Sequence, residues 1–351
     1  MKLKKFITCG MLCVLIIVTI VGCKHNNNQQ IITRTEFLMD TVITLKIYDK
    51  QDEEILDKAI NRLKEIESRM SRTIKDSDIS LINKNAGIRP VQIHDDVYYV
   101  IEQAKDFAVK TDGAYEPTIG PLVDLWNVTG TTQKERDSIP TEEQINENLA
   151  LVNYNDLELM DDNYVFLKRK GMKLDLGGIV KGYAADEIKR IFKENEVTSA
   201  IIDLGGNIYV LGEKENGDSW NIGIQEPVEA ISDYLGVLKV KNKSVVTSGD
   251  YERYFMYQGK KYHHIIDSKT GYPADSKVAG VSIISENSID GDALSTALFV
   301  LGIEEGTKLI NQLQEIDAIF ITKNHKVFIS EELMNIFDLT NKEYKLINNT
   351  N

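Results

Sequence analysis

Leu174–Asp186 reads LDLGGIVKGYAAD, and the rest of the chain is ordered around it. Met172, Leu174 and Leu176 make an apolar, strand-like lead-in that holds Asp175 between apolar neighbours. Gly177-Gly178 then predicts a turn, and the run after Lys181 predicts a helix. Glycine lets backbone approach a ligand closely and adopt conformations that other residues resist. A strand, a glycine turn and a helix start together can present free backbone N–H groups to a phosphate. The Walker A spacing G-x-x-x-x-G-K-[ST] is absent, and so is G-x-G-x-x-G. Read alone, the stretch also fits an ordinary strand-to-helix turn.

Upstream, Thr35–Tyr48 is β-branched and partly alternating, which predicts a strand or strand pair. Ile55, Ala59, Leu63, Ile66 and Met70 recur at helical spacing, so Glu53–Met70 is expected as a helix. Val97, Val100, Ile101, Ala104 and Ala108 place another over Asp95–Lys110. Thr111–Trp126 is punctuated by glycine and proline, and Thr129–Pro140 is polar loop. Thr141 with Gln144 forms a capping box that opens a short helix to Asn148. Downstream, Ser199–Leu204, Ile208–Leu211, Trp220–Gln225, Tyr234–Val240, Tyr251–Tyr257, Lys261–Ile266 and Val278–Ile284 are strand candidates. Helices are expected over Asp292–Leu301 and Glu304–Leu313, then a hairpin of Ala318–Thr322 and Lys326–Ile329. The pattern predicts an α+β fold. It is expected to be a single large domain of two merged lobes over residues 34–340, with antiparallel hairpins and packed helices and a polar tail at 341–351.

Met1–Gly22 has a basic start at Lys2, Lys4 and Lys5 and then a mostly apolar run. That is the pattern of a secretory signal, short for a membrane span of about 20 residues. Ile20-Val21-Gly22-Cys23 resembles a bacterial lipobox, whose cysteine is diacylated and becomes the new N-terminus. The alternative is an uncleaved signal anchor, and either places the rest of the chain outside the cytoplasm. Of Cys9, Cys13 and Cys23, only Cys23 would survive cleavage, so the exported domain relies on its core rather than on disulfides. Residues 23–33 read as a polar tether, and two acyl chains would hold it at a membrane. The net charge is −13, and loss of Lys2, Lys4 and Lys5 takes it to −16. Such a balance argues against nucleic acid as a partner and against adsorption to anionic lipid. It suits a site that holds divalent cations.

Asp292 and Thr296 are four apart and share one face at the start of their predicted helix. Their oxygens suit Mg²⁺, which binds phosphate alongside one or two carboxylates. A helix start attracts phosphate and repels a cation, so a metal and a phosphate there together are electrostatically coherent. The plainer alternative is that Asp292 caps its helix and Thr296 packs. His263-His264 sits in a strand-like run, so the two rings point to opposite faces. No Cys or H-x-x-x-H spacing supports zinc, and there is no G-x-S-x-G or Cys–His nucleophile.

DGAYEPTIGPLVDLW (Asp112–Trp126), LDLGGIVKGYAAD, DLGGN (Asp203–Asn207), SGDYER (Ser248–Arg253), the Tyr262–Pro273 stretch YHHIIDSKTGYP and DALSTALFVLG (Asp292–Gly302) follow in this order. Together they closely resemble the ApbE family, the FAD:protein FMN transferases, over about Phe37 to Ile329. The resemblance implies an enzyme that splits FAD and transfers its FMN part through a phosphoester to a Thr or Ser of a target protein. AMP is released, and Mg²⁺ assists at the pyrophosphate. By motif position, Asp292, Thr296 and the backbone carbonyl of Gly178 are implied as metal ligands, with Ser295 beside them. Met39, Thr73, Gly113, Ala114, Tyr115, Asp175, Lys181 and Ile266 stand at the implied FAD contacts, and His264 is the catalytic candidate. The implied partners are FAD, an acceptor protein with an exposed Thr or Ser, and the membrane through a lipid on Cys23. Departures are present: Asp40 replaces the Gly of a usual MGT, and Thr73 lies where many members place an aromatic residue near the flavin. Ser268 replaces a common Pro, with a change in turn rigidity expected. The same residues leave open an FAD pyrophosphatase giving FMN and AMP, and a flavin-binding lipoprotein without turnover.

Overall fold

The computed structural model describes residues 31–128, 134–227 and 234–347. The expected leader, Cys23 and most of the tether lie outside these residues, as does the end of the polar tail. Ile32 and Thr33, expected as tether, already belong to the first strand, Ile32–Leu38. It pairs with Thr41–Ile47 in a hairpin whose two turn residues, Met39 and Asp40, have φ of 54° and 58°. Two positive φ values suit the turn that right-twisted strands favour. Asp enters that region more readily than most side chains, so Asp40 can stand where glycine would be ordinary.

A nine-stranded sheet grows in chain order from this hairpin. Ala200–Leu204, Asn207–Leu211, Lys243–Gly249, Val278–Ser285, Asp317–Thr322, Lys326–Ile329 and Lys345–Ile347 follow. Every neighbouring pair is antiparallel except the last. Between the second and third of these strands the chain leaves the sheet to build its helices from Glu53–Met70 to Val180–Glu194. The helices and one sheet face share a core that includes Ile43, Leu45, Ile55, Leu63, Ile202, Val281 and Leu298. The other face is closed by Trp220–Gln225, Tyr234–Val240 and Phe337–Leu339, packed on Val210, Val245, Ile284 and Ile319. A smaller cluster of Leu122, Trp126, Ile145, Phe255 and Ile266 gathers the loops beside the site. This is the α+β architecture the sequence predicts.

Glu53–Met70 and Asp95–Lys110 form over the predicted spans, and Thr141 and Gln144 make the expected capping box. Other expectations are corrected. The lead-in to the central stretch is not a ladder strand; it makes only an isolated bridge, from Lys173 to Ile119 just before the helix Gly120–Trp126. Met172, Leu174 and Leu176 are apolar because each is buried in the main core. Gly120–Trp126 is a short helix with Pro121 in its first turn, where a missing N–H costs nothing. The two helices expected after Asp292 are present within Ser288–Ile310 and meet at a kink, Gly302 with φ 75°, but the first starts earlier than expected, at Ser288. The strand expected from Tyr251 begins at Tyr254, and the one expected to reach Ile266 ends at His263. Among the described residues no helix is long and apolar enough to cross a membrane.

Candidate active site

Helices Val180–Glu194 and Ser288–Ile310 start beside each other, and each caps the other. Asp186 accepts from the N–H groups of Ser288 and Ile289 at 3.0 and 2.9 Å. Asp292 Oδ2 accepts from the N–H of Gly182 at 2.9 Å, and the Lys181 N–H adds to it. The first N–H groups of a helix have no partner within the helix, and a carboxylate there is favoured by the helix dipole. Gly182 makes the approach possible, since a Cβ would lie 2.7 Å from Ile289 Cα. Asp292 therefore does cap a helix, but the neighbouring one. Its own helix starts earlier, at Ser288, so Asp292 is not at the helix beginning as expected.

The central glycine turn is also largely spoken for. Gly177 N–H donates to Asp175 Oδ1 at 2.8 Å, and Ile179 and Val180 donate to the Leu176 carbonyl. Free helix-start N–H groups are thus not what this turn offers a phosphate, contrary to the expectation from its glycines. Cations nearby do offer something. Lys181 acts electrostatically on Asp292, Glu252 and His264, and Arg253 acts on the last two. Neither Lys181 nor Arg253 has an ion-pair partner among the described residues.

Gly178, Thr296 and Tyr115 come together beside Asp292. A Cβ on Gly178 would lie 3.2 Å from Thr296 Oγ1 and 3.3 Å from Tyr115 Cε2, so bare backbone sits against the hydroxyl and the ring. Asp292 is 5% exposed; burial raises its pKa, and Lys181 opposes the rise. The buried Tyr115 hydroxyl has no hydrogen-bond partner among the described residues, and burial raises its pKa well above the usual value. Ser295 serves a different end. Its hydroxyl donates to the Asp292 carbonyl at 2.9 Å and meets Ser248 Oγ at 2.8 Å, tying helix to strand. Asp292, Thr296 and the Gly178 carbonyl are an all-oxygen donor set with one negative charge. Such a set fits Mg²⁺, which leaves positions for water and phosphate, and does not fit zinc, which prefers nitrogen and sulfur. Among the described residues no group of three or more His, Cys, Asp or Glu could hold a metal.

His264 and His263 part as alternation predicts. His264 Nδ1 lies 3.3 Å from the Arg253 carbonyl, which also accepts the His264 backbone N–H at 3.1 Å. A carbonyl only accepts, so Nδ1 carries the proton and Nε2 is left as an acceptor. Burial, with the positive charge of His263, Arg253 and Lys181, lowers His264 to about 3. His263 instead donates from Nε2 to the Ala274 carbonyl at 2.9 Å and packs edge-on to Phe299. Glu252, whose pKa burial raises, joins the His264 side with Arg253. SGDYER stands out as a motif in the sequence, but neither Glu252 nor Arg253 has an expected role there. The available signal was two charged residues in a turn directly after a strand that ends in buried Gly249.

The remaining candidates are arrayed around this group. Asp175 Oδ2 pairs with Arg72 Nε at 2.9 Å, so the carboxylate shapes the glycine turn. Thr73 is exposed, and its hydroxyl and N–H both engage Ser71 Oγ. Gly113 has φ 76°, and Ala114 is buried beside it. Ser268 Oγ donates to the Gly113 carbonyl at 2.6 Å, and Lys269 pairs with Asp112 at 2.6 Å. Ser268, expected only to alter rigidity, thus adds a bond that proline could not make. Ile266 is buried in the Trp126 cluster. Met39 holds the first hairpin turn and donates its N–H to Glu67 at 2.8 Å. No described contact joins Met39, Thr73 or Ile266 to Asp292, and Cys23 lies outside the described residues.

Comparison with known proteins assigns the chain a family. The ApbE family model matches residues 39–320. The FAD:protein FMN transferase of Klebsiella pneumoniae is 36% identical over 325 residues, covering 92% of this chain and 99% of that protein. That of Treponema pallidum is 36% identical over 314 residues, covering 84% and 85%. The crystal structure of the ApbE protein of Thermotoga maritima matches with a TM-score of 0.79 at 31% identity, over 88% of this chain and 99% of that one. With a family match that runs through the helices, the glycine turn and His264, the chain belongs to the ApbE family.

Proposed function

We propose that this protein transfers the FMN part of FAD to a Thr or Ser hydroxyl of an acceptor protein and releases AMP. The observation that carries the reading is that Lys181 acts on both Asp292 and His264, and Arg253 acts on His264, with neither cation ion-paired among the described residues, while Gly178 lies against Thr296 one helical turn from Asp292. A diphosphate is the ligand that needs both. Lys181 and Arg253 bind and orient its negative charge. Mg²⁺ held by Asp292, Thr296 and the Gly178 carbonyl would supply further charge neutralisation there. The acceptor hydroxyl oxygen bonds to the FMN-side phosphorus, the bridging P–O bond breaks, and AMP leaves with that bond's electron pair. The hydroxyl proton passes to His264 Nε2. Burial first and the positive charge around it second hold His264 low, and an incoming diphosphate counters that charge and makes the imidazole a better base.

The test is incubation with FAD, Mg²⁺ and a purified FMN-binding acceptor domain. Flavin fluorescence that stays with the acceptor after denaturation is the expected result, and its absence would overturn the reading. The same proposal places the enzyme outside the cytoplasm, anchored through lipid on Cys23. Cys23→Ser expressed without the leader should be soluble, whereas unlipidated wild type in the extracellular fraction would contradict the anchor.

A further inference from the structure

Lys260–His263 is the outer strand of a small sheet whose other members are Tyr254–Tyr257 and Lys134–Glu135. It runs antiparallel to its neighbour, with Tyr257 opposite Lys260 and Tyr254 opposite His263. Just beyond, the His264 N–H donates to the Arg253 carbonyl. Bonded and non-bonded pairs alternate along such a ladder, so Tyr262 and Lys260 turn their backbone groups to the neighbouring strand. Lys261 and His263 turn theirs outward. Among the described residues nothing bonds to the Lys261 N–H or carbonyl.

This open edge faces a cleft of about 1720 Å³, walled on one side by Gly259 to His263 and on another by the helix around Gly302. Small-molecule pockets run to roughly 300–1,000 Å³, so the cleft has room for a polypeptide. An unpaired strand edge is a template for an added strand. Five lysines and four carboxylates line the cleft, a positive balance in a chain of net charge −13, and of the lysines Lys260 and Lys277 have no ion-pair partner among the described residues. One loop links the wall of the cleft to the active-site side. Asp267, Thr270, Tyr272 and Pro273 face the cleft, while Ser268 bonds the Gly113 turn. The strand with the open edge runs directly into His264.

We propose that the acceptor protein docks here, with an extended, carboxylate-bearing segment adding as a strand along Lys261. Lys260 and Lys277 hold its charge, and the neighbouring part of the acceptor passes the Asp267–Pro273 loop to bring its hydroxyl to His264. This rests on the transferase reading, which requires a polypeptide to reach that histidine.

Lys261→Pro removes the outward N–H, and proline is tolerated at a sheet edge. It also breaks the 2.8 Å pair of Lys261 with Asp250, so Lys261→Ala is the control. Lys260→Glu with Lys277→Glu reverses the charge and leaves the backbone alone. The assay is FMN transfer to a purified FMN-binding acceptor domain, with FAD affinity measured beside it. Lys261→Pro and the charge reversal should each raise the acceptor KM about tenfold, with Lys261→Ala well below that and FAD affinity unchanged throughout. Acceptor should also slow hydrogen exchange at the Lys261 amide. Unchanged acceptor KM in both variants would overturn the proposal. So would a dimer that Lys261→Pro dissolves at unchanged acceptor KM, since the edge would then serve a second copy. If wild type labels no acceptor, the transferase reading fails, and the exchange measurement still decides docking: protection of Lys261 supports it and no protection overturns it.

Discussion

Replacing Asp292 with Asn separates the capping role of this residue from its role toward a metal. The substitution keeps an oxygen for the Gly182 N–H, now 2.9 Å away, and puts an amide NH₂ where the second carboxylate oxygen was. Two effects on stability oppose each other. A charge-assisted hydrogen bond becomes a neutral one, a loss of about 1 kcal/mol. A carboxylate that is 5% exposed and penalised by burial is removed, which returns roughly 1 kcal/mol. The melting temperature should therefore move by no more than about 2–4 °C. The metal site fares differently, because the other donors named for it, Thr296 and the Gly178 carbonyl, are neutral. Losing the one charged ligand should move the Mg²⁺ dependence up at least about tenfold and collapse FMN transfer at low Mg²⁺. Thr296→Val should act in the same direction and less strongly. The double mutant should be non-additive, since both changes damage one coordination shell. The assay is acceptor flavinylation against Mg²⁺ concentration, with thermal melts of each variant. A folded Asp292→Asn that transfers at the wild-type rate in low Mg²⁺ would refute the metal role and leave only the cap.

Lys181→Ala should weaken FAD binding about tenfold or more and FMN binding less, because a point charge beside a diphosphate is removed; equal FAD affinities by calorimetry would make Lys181 a surface cation. Gly182→Ala should destabilise by roughly 1–3 kcal/mol, since its Cβ would meet Ile289 Cα at 2.7 Å; an unchanged denaturation midpoint would argue against close helix contact. His263 titrates at 6.5 unfolded and at about 4 folded. The unfolded chain therefore binds the extra proton, and stability is full above pH 6.5 and lost as pH falls toward 4, by up to roughly 3 kcal/mol. His264 is lowered to about 3 and adds in the same direction. His263→Gln should flatten that acid slope in denaturant titrations, and a slope identical to wild type would count against buried neutral His263.

What the sequence discloses, and what it withholds, follows from how local each signal is. Glu53–Met70 carries its apolar stripe in its own residues, and Thr141 finds Gln144 three positions on, so both are legible. The start of Ser288–Ile310 is not. Ser288, Asp290 and Gly291 read as turn residues, yet Gly291 is small because a Cβ would lie 2.8 Å from Val246 Cγ2. Its reason is packing against a strand far away in the chain. Asp292 looks like a cap in sequence and is one, but the helix it caps lies 110 residues away. The glycine turn after Asp175 suggests free N–H groups, and only the fold shows that Asp175 and Leu176 have taken them. Motif order names Gly178, Asp292 and Thr296 together, and the fold sets Gly178 against Thr296, one helical turn from Asp292. Arg253 and Glu252 escape because nothing in SGDYER says which way that turn faces.

The central claim is that FMN leaves FAD for a protein hydroxyl rather than for water. One incubation with FAD, Mg²⁺ and a purified FMN-binding acceptor domain measures it, with AMP quantified by chromatography and the acceptor by intact mass. The account predicts one AMP released for each acceptor that gains FMN, with both products lost in His264→Ala. AMP appearing with free FMN while the acceptor mass stays unchanged would contradict it.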